Sequence, residues 1–264
     1  MSVDMSRLAG RPTIVFSNSL AADKTMWEGV AAALSDSFGI LRFDARGHGE
    51  TESTPGDYSL ELLARDVIGL LDTIGLDRVH FVGLSLGGMI GQWLAVNAPE
   101  RLKTLTLCAT FCTTDPALWD RRVATVRAEG VQSVVDATLQ RWLTAPFRAA
   151  HADRIAAIRE MILATTVDGY AGSAAAIRDM DIGAYPAKIR VPTLLLAAED
   201  DVSATPEAMR EIHRRIVGSE FVQISDAAHV FTFEKPELTA RVIGDFLTRH
   251  EGLGRTDEVM GIVP

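Results

Sequence analysis

Residues 78–93 read RVHFVGLSLGGMIGQW. The apolar run over 79–82 stops at the pentapeptide GLSLG of 83–87, and a helical pattern begins directly after it. A strand, a sharp turn and a helix are the setting in which G-x-S-x-G exposes a nucleophilic serine. Such a turn holds its serine at positive φ, so the positions two before and two after it must be small, and here both are glycine. The pattern predicts that Ser85 is a nucleophile beside a helix N-terminus that can receive an anion, and the alternative is a serine that only caps the helix.

The composition is that of an ordinary globular protein. Of the 264 residues, 47% are hydrophobic and 23% are charged, which suits one large α/β domain with room for an insertion. No apolar run approaches the roughly 18 residues that span a membrane. Residues 1–12 also lack the apolar segment that a signal peptide carries. We therefore expect a cytoplasmic protein that does not bind a membrane.

Charge and cysteine content limit the kinds of partner and cofactor that we expect. The net charge is −9 and no stretch is strongly basic, so we expect no nucleic-acid partner. A small anionic substrate remains compatible with this charge if its site is locally positive. Cys108 and Cys112 provide neither a disulfide framework nor zinc spacing, and we interpret both as small buried thiols. We expect no metal and no organic cofactor, and the oligomeric state stays open.

Strands and helices alternate before residue 113. The predicted strands cover 13–16, 39–44, 79–82 and 102–109, and the predicted helices between them cover 23–34, 59–74 and 86–97. This alternation is typical of the α/β class with a mostly parallel, doubly wound sheet. Ser59 is a suitable N-cap for the second helix and Gly75 is placed to end it.

The alternation breaks after the fourth predicted strand. Residues 113–186 show helical periodicity and no convincing strand, and Gly130, Pro146 and Gly169 divide them into about four predicted helices. We interpret this segment as a helical cap over the carboxyl ends of the strands, where α/β sheets bind ligands. The predicted core is then 1–112 with 187–250, and 251–264 is predicted to be a flexible tail.

The predicted sheet resumes with strands over 192–197 and 221–224, and a last helix covers 236–249. A serine hydroxyl needs a base to take its proton, and the base needs an acid to orient it. On this kind of sheet the order is serine, acid, histidine, at the ends of successive strands. Ser85, Asp201 and His229 fit that order. Spacing alone does not separate Asp201 from Asp200, and His48 is a weaker alternative base because it precedes the serine.

The oxyanion of an acyl-transfer reaction needs two N–H donors. One is expected from Leu86, the residue after the nucleophile, and the other from the loop that follows the first predicted strand. That loop is SNSL over 17–20. We predict Leu20 as the second donor, with Ser19 as the other possibility.

Several further segments resemble the 3-oxoadipate enol-lactonases, which are α/β-hydrolases of aromatic catabolism. They are SNSL at 17–20, RFDARGHGE at 42–50, the pentapeptide with its helix, QRWLTAPF at 140–147, AAEDDVSATP at 197–206 and DAAH at 226–229. The resemblance extends from about residue 13 to residue 249. It implies the α/β-hydrolase fold and a carboxylic-ester hydrolase of the β-ketoadipate pathway, which opens 3-oxoadipate enol-lactone.

The resemblance also implies roles for individual residues. The family's acid stands four residues before a Thr-Pro pair, as Asp201 does here, and this favours it over Asp200. Trp142 matches a pocket tryptophan, and Ser19 is a further expected substrate contact. The acetate arm of the lactone needs a cation or hydrogen-bond donors from the cap, and Arg141 and Arg178 are candidates.

Two features depart from the family pattern. Only a dozen residues precede the first predicted strand, so the hairpin that usually begins the family's sheet is expected to be missing and the sheet shorter on that side. The segment VFTF at 230–233 is more apolar than expected and could reshape the pocket beside His229.

Two classes of rival function use the same residues. One is another serine hydrolase, namely a carboxylesterase, a carbon–carbon bond hydrolase or a cofactor-free haloperoxidase. The other is a ligand receptor that binds on the same fold with little turnover. A serine at position 85, instead of aspartate, argues against haloalkane dehalogenase and epoxide hydrolase chemistry.

Overall fold

A seven-stranded sheet organises residues 1–252, the part of the chain that the computed structural model describes. The strands are β1 (Val3–Ser6), β2 (Thr13–Ser17), β3 (Gly39–Phe43), β4 (Val79–Leu84), β5 (Leu102–Cys108), β6 (Thr193–Ala198) and β7 (Glu220–Ile224). Their spatial order is β1-β3-β2-β4-β5-β6-β7. Only β1 runs antiparallel to its neighbour, so the predicted mostly parallel sheet is confirmed.

Helices connect the parallel strands. They are α1 (Glu28–Leu34), α2 (Leu60–Ile74), α3 (Leu86–Asn97), α4 (Pro116–Glu129), α5 (Val135–Trp142), α6 (Ala145–Ala150), α7 (Ala152–Leu163), α8 (Val167–Arg178), α9 (Pro206–Arg215), α10 (Phe231–Glu234) and α11 (Pro236–Glu251). The caps predicted for α2 are present. The Ser59 hydroxyl accepts the Leu62 N–H at 3.1 Å, and Gly75 ends the helix at a φ of 77°.

The central strands are covered on both faces. Every residue of β2, β4 and β6 is buried, whichever face its side chain takes. This explains why these strands read as continuous apolar runs and not as an alternation. Because β2, β4, β5, β6 and β7 are parallel, their carboxyl ends meet at one edge of the sheet. The loops that carry Ser19, Ser85, Asp201 and His229 begin at that edge.

The segment before the first predicted strand contains one strand, β1, which the sequence did not predict, and no hairpin. Residues 3–6 form an edge strand, which pairs antiparallel with β3 from Val3 opposite Phe43 to Ser6 opposite Ile40. This strand extends the sheet by one position beyond β3. The strand has four residues and three are exposed, so its stability comes from pairing with β3 and leaves no apolar pattern in the sequence.

The segment between β5 and β6 is helical, as predicted, and we call α4 to α8 with their connections the helical insertion. It contains five α-helices instead of about four. Gly130 ends α4 at a φ of 80°. Gly169 lies in the first turn of α8 and does not end a helix. A Cβ at Gly169 would overlap the backbone of Gly47, and the Thr166 N–H donates to the Gly47 carbonyl at 2.9 Å. Gly169 therefore serves a close contact between the helical insertion and the turn after β3.

The last helix, α11, includes Glu251, the first residue of the predicted tail. The Glu251 carboxylate accepts from Lys103 Nζ at 2.7 Å, which fixes the end of α11 to β5. Residues 253–264 of the predicted tail lie outside the described residues. Within the described part of the chain, no helix combines the length and the apolar character that crossing a membrane requires.

Candidate active site

Ser85 occupies a strained turn between β4 and α3, with φ at 56° and ψ at −111°. A non-glycine residue in this region costs about 1–3 kcal/mol, so surrounding contacts must hold it. Its N–H donates to the Cys108 carbonyl at 2.9 Å, and its own carbonyl accepts the Thr110 hydroxyl at 2.8 Å. The end of β5 therefore fixes the backbone of Ser85 from both sides.

The positions on either side of the Ser85 turn must be glycine, because the neighbouring backbone leaves no room for a side chain. A Cβ at Gly83 would overlap the carbonyl of Gly87, and a Cβ at Gly87 would overlap the carbonyl of Ser17. The N–H of Gly87 also donates to the Asn18 carbonyl at 3.0 Å. The loop after β2 thus packs directly against the first turn of α3.

Asp201 and His229 are brought together from the ends of β6 and β7. His229 Nδ1 lies 2.7 Å from Asp201 Oδ2, and both side chains are buried. The other carboxylate oxygen, Oδ1, accepts the N–H groups of Ser203 at 2.7 Å and Ala204 at 3.0 Å. This arrangement leaves Nε2 as the ring nitrogen that can accept a proton.

The environment keeps Asp201 charged. Burial by itself raises the pKa of its carboxyl, but the charge and hydrogen bond of His229 and the two N–H donors outweigh burial and lower the pKa below its ordinary value. Asp200, in contrast, is exposed, and its N–H donates to the Ala227 carbonyl at 2.9 Å. Of the two adjacent aspartates, only Asp201 is bonded to His229.

Ser85 and His229 open into one cavity of about 470 Å³. Within residues 1–252, Ser85 Oγ and His229 Nε2 are not hydrogen-bonded to each other, and the ring bonds to Asp201 through Nδ1. Such contacts commonly tighten only when substrate binds. The predicted residues Ser19, Leu20, Arg141 and Trp142 line the same cavity, whereas Leu86, which follows Ser85 in the chain, is not among its lining residues.

Two backbone N–H groups near Ser85 are without a partner. Neither the Leu20 N–H nor the Leu86 N–H makes a hydrogen bond to any residue in 1–252. The N–H of Ser19 is occupied, since it donates to the sulfur of Met26 at 3.4 Å. The geometry therefore separates Leu20 from Ser19 as an available donor.

The arginines of the cavity differ from those expected. Arg122 and Arg215 line it together with Arg141, and none of the three forms an ion pair with a carboxylate of the described residues. Burial and the nearby charge of Arg122 lower the pKa of Arg141. Arg178, the other candidate, lies outside the cavity, where Asp57, Asp120 and Asp179 pair with it. That expectation for Arg178 is therefore wrong.

The structure also shows where residues 230–233, His48 and Cys112 lie relative to the cavity. Residues 230–233 do not line the cavity; they enter α10, where Phe231 and Thr232 are buried against the core. His48 is buried away from the cavity with its Nδ1 at 3.1 Å from the Arg46 carbonyl. Cys112 lines the cavity, and burial raises the pKa of its thiol.

Sequence reasoning missed Trp119, Arg122, Tyr170 and Arg215 as cavity residues. The guanidinium of Arg122 lies over the Trp119 ring, 4.4 Å from its centroid. The spacing of 119 and 122 on one helix face could have indicated this pair. Nothing in the sequence places Tyr170 or Arg215 near Ser85, because α8 and α9 are distant along the chain.

Comparisons with known proteins agree with this geometry. The sequence pattern of the alpha/beta hydrolase fold family matches residues 12–236. The 3-oxoadipate enol-lactonase 2 of Acinetobacter baylyi is 30% identical over 230 residues, covering 87% of this chain and 86% of that protein. The enol-lactonase structure from Burkholderia xenovorans LB400 has a TM-score of 0.90 and 38% identity, covering 94% of this chain and 95% of that one. RutD of Pseudomonas savastanoi, described as a carbamate hydrolase, is 28% identical over 247 residues, covering 90% of this chain and 95% of that protein.

Proposed function

The chain belongs to the alpha/beta hydrolase family, and we propose that it is a serine hydrolase that opens the ring of 3-oxoadipate enol-lactone to 3-oxoadipate. One observation carries this proposal. Ser85 and His229 face a cavity that also holds Arg122 and Arg141, two guanidinium groups without carboxylate partners among residues 1–252. The similarity to two enol-lactonases supports the choice of substrate.

The proposed reaction uses Ser85, His229 and Asp201 as a triad. Nε2 of His229 takes the proton of Ser85 as Oγ attacks the ring carbonyl, and Asp201 stabilises the imidazolium through Nδ1. The ring C–O bond then breaks, and the leaving oxygen receives the proton as an enol that becomes a ketone. The acyl group stays on Ser85 until His229 activates a water molecule. Water adds to the carbonyl, the Ser85 ester bond breaks, and 3-oxoadipate is released.

The charge on the attacked oxygen is assigned to the N–H groups of Leu20 and Leu86. Both are unbonded within residues 1–252, and they belong to the two loops that the Gly87–Asn18 hydrogen bond holds together. Fixed donors of this kind stabilise the tetrahedral intermediate more than the ground state.

Replacing Leu20 with proline tests this assignment. Proline removes the N–H, so kcat is expected to fall by about 10²-fold with a smaller change in KM. Leu20→Ala keeps the N–H and is the control for loss of the side chain. Steady-state kinetics on the lactone compare the variants. Equal kcat values for wild type and a folded Leu20→Pro protein would remove Leu20 from the site.

The carboxylate arm of the substrate is assigned to Arg141, with Arg122 beside it. Burial and mutual repulsion make two neighbouring guanidinium groups costly, and a bound carboxylate relieves both. Trp142 and Ser19 are assigned to the walls that orient the ring. In this proposal residues 113–186 act as a cap on the core of 1–112 and 187–250.

Arg141→Gln is expected to discriminate between substrates. It should lower kcat/KM for the anionic lactone by about 10- to 100-fold, because a hydrogen bond to a charged group is lost. Hydrolysis of the neutral ester p-nitrophenyl acetate should change little. Arg178→Gln removes an equal charge outside the cavity and is the control. Equal losses on both substrates would contradict a role in binding the carboxylate.

The proposal as a whole is tested by steady-state hydrolysis of 3-oxoadipate enol-lactone beside p-nitrophenyl acetate. We expect a kcat/KM of about 10⁵ M⁻¹s⁻¹ or higher for the lactone, inside the ordinary enzyme range. Hydrolysis of the ester without the lactone would reject this substrate and keep the triad. Release of one p-nitrophenol per chain without turnover would favour a receptor.

A second candidate is hydrolysis of a different carbonyl substrate by the same residues. The similarity to RutD favours a carbamate within this class, since attack on a carbamate carbonyl also needs a serine, a base and an oxyanion site. A carbamate offered in the same assay separates the two candidates.

A further inference from the structure

Glu234, the last residue of α10, bridges the loop that carries His229 and the helical insertion. Its Oε2 accepts the N–H of Ala228 at 2.7 Å. Its Oε1 accepts the N–H of Thr144 at 2.9 Å and the Thr144 hydroxyl at 2.7 Å. One half-buried carboxylate therefore accepts three hydrogen bonds from two segments that are far apart in the chain.

A second contact joins the same two segments on the other side of His229. The N–H of Val230 donates to the Trp142 carbonyl at 3.0 Å. The residues before and after His229 are thus both bonded to the helical insertion, one through Glu234 and the other directly. Trp142 lines the cavity, so the wall of the cavity and the backbone of His229 are one connected structure.

Only a carboxylate satisfies this arrangement. Its two oxygens accept from the Thr144 and Ala228 sides at once, and bonds from N–H groups to a charged acceptor are the stronger kind. A glutamine offers one oxygen, so its amino group would face either the Ala228 N–H or the Thr144 donors. One of the two segments would then lose its anchor.

We propose that Glu234 is a positioning residue for His229. It ties the His229 loop to the helical insertion, so that the imidazole takes its productive position only when the insertion is seated over the cavity. The inference rests on the proposed role of His229 as the general base. It adds a requirement that the triad alone does not contain, namely a contact between the base loop and the insertion.

The test uses Glu234→Gln, with Glu237→Gln as the matched control. Glu237 is exposed in the first turn of α11, and its substitution removes the same charge. We expect Glu234→Gln to lower kcat for p-nitrophenyl acetate by about 10- to 100-fold with KM nearly unchanged. The rate at which a phosphonate ester labels Ser85 should fall equally. Glu237→Gln should match wild type, and all assays run well below each unfolding midpoint.

A double-mutant cycle separates positioning from general weakening of the fold. Thr144→Val removes one donor to Glu234 together with the cap that the hydroxyl gives α6, and should lower kcat by about fivefold. Thr144→Ser keeps both contacts and should not lower kcat. In the Glu234→Gln background, Thr144→Val should lower kcat no further, since the bridge between the two segments is already broken, although loss of the α6 cap should still lower the unfolding midpoint. Wild-type kcat in Glu234→Gln, or additive losses in the double variant, would overturn the proposal.

Failure of the Glu234 inference can be distinguished from rejection of the lactone as the substrate. The ester and the phosphonate report on Ser85 and His229 without the lactone, so a protein that ignores the lactone still permits the cycle. If Ser85→Ala retained ester hydrolysis, the triad itself would fail, whatever the Glu234 variants do.

Discussion

Ser85→Ala is expected to lower kcat by about 10⁶-fold on the lactone and on p-nitrophenyl acetate alike. The substitution removes one oxygen atom and keeps the Cβ, so the strain at a φ of 56° is unchanged. The hydrogen bonds of its N–H to Cys108 and of its carbonyl to Thr110 also remain. The loss therefore reports on the hydroxyl and not on the turn.

The measurement pairs kinetics with a check of the fold. The thermal unfolding midpoint of Ser85→Ala should stay close to that of wild type, and a phosphonate ester should label wild type once per chain and leave the variant unlabelled. A residual rate above a tenth of wild type would show that another group performs the attack. The neighbouring thiol of Cys112 would then be tested next with Cys112→Ala.

Asp201→Asn is expected to cost about 10⁴-fold in kcat. Oδ1 of residue 201 accepts two backbone N–H groups, from Ser203 and Ala204. An asparagine would keep its oxygen there, so its NH₂ group would face His229 Nδ1. That nitrogen would have to act as an acceptor, which places the proton on Nε2 and leaves nothing to take the proton of Ser85.

The adjacent aspartate supplies a matched control. Asp200→Asn makes the same change of charge one residue away, on an exposed side chain, and its kcat should stay within about twofold of wild type because surface substitutions have small effects. Steady-state kinetics of both variants on p-nitrophenyl acetate make the comparison. A larger loss in Asp200→Asn than in Asp201→Asn would reverse the assignment of the acid.

The contact between the helical insertion and the His229 loop would affect the order of substrate entry and reaction. If the base is positioned only when the insertion is seated, an open cavity would admit substrate without reacting. Glu234 and the Trp142 carbonyl would then link closure to chemistry. In the proposed function, binding of the substrate carboxylate by Arg141 and activation of Ser85 would then both depend on the same helices.

The sequence by itself determined six of the seven strands in chain order, the strand–turn–helix at Ser85 and the helical segment between β5 and β6. These features are local, because a run of apolar side chains, a helical period or a glycine at a crowded turn is a property of neighbouring residues. The same locality explains the errors. Gly169 resembles a helix break but serves a contact with Gly47, and β1 exists only because β3 pairs with it.

Only the tertiary structure decided which distant side chains meet. Spacing alone does not separate Asp200 from Asp201, and the family resemblance only favours Asp201, whereas the structure shows a 2.7 Å contact of Asp201 with a histidine 28 positions away. Arg122 lines the cavity and Arg178 lies outside it, although both are on helices of the insertion. The bridging role of Glu234 follows from its contacts with Thr144 and Ala228, which are distant from each other in the chain. Hydrogen bonds and ion pairs are set by distance in space, which the order of residues along the chain does not specify.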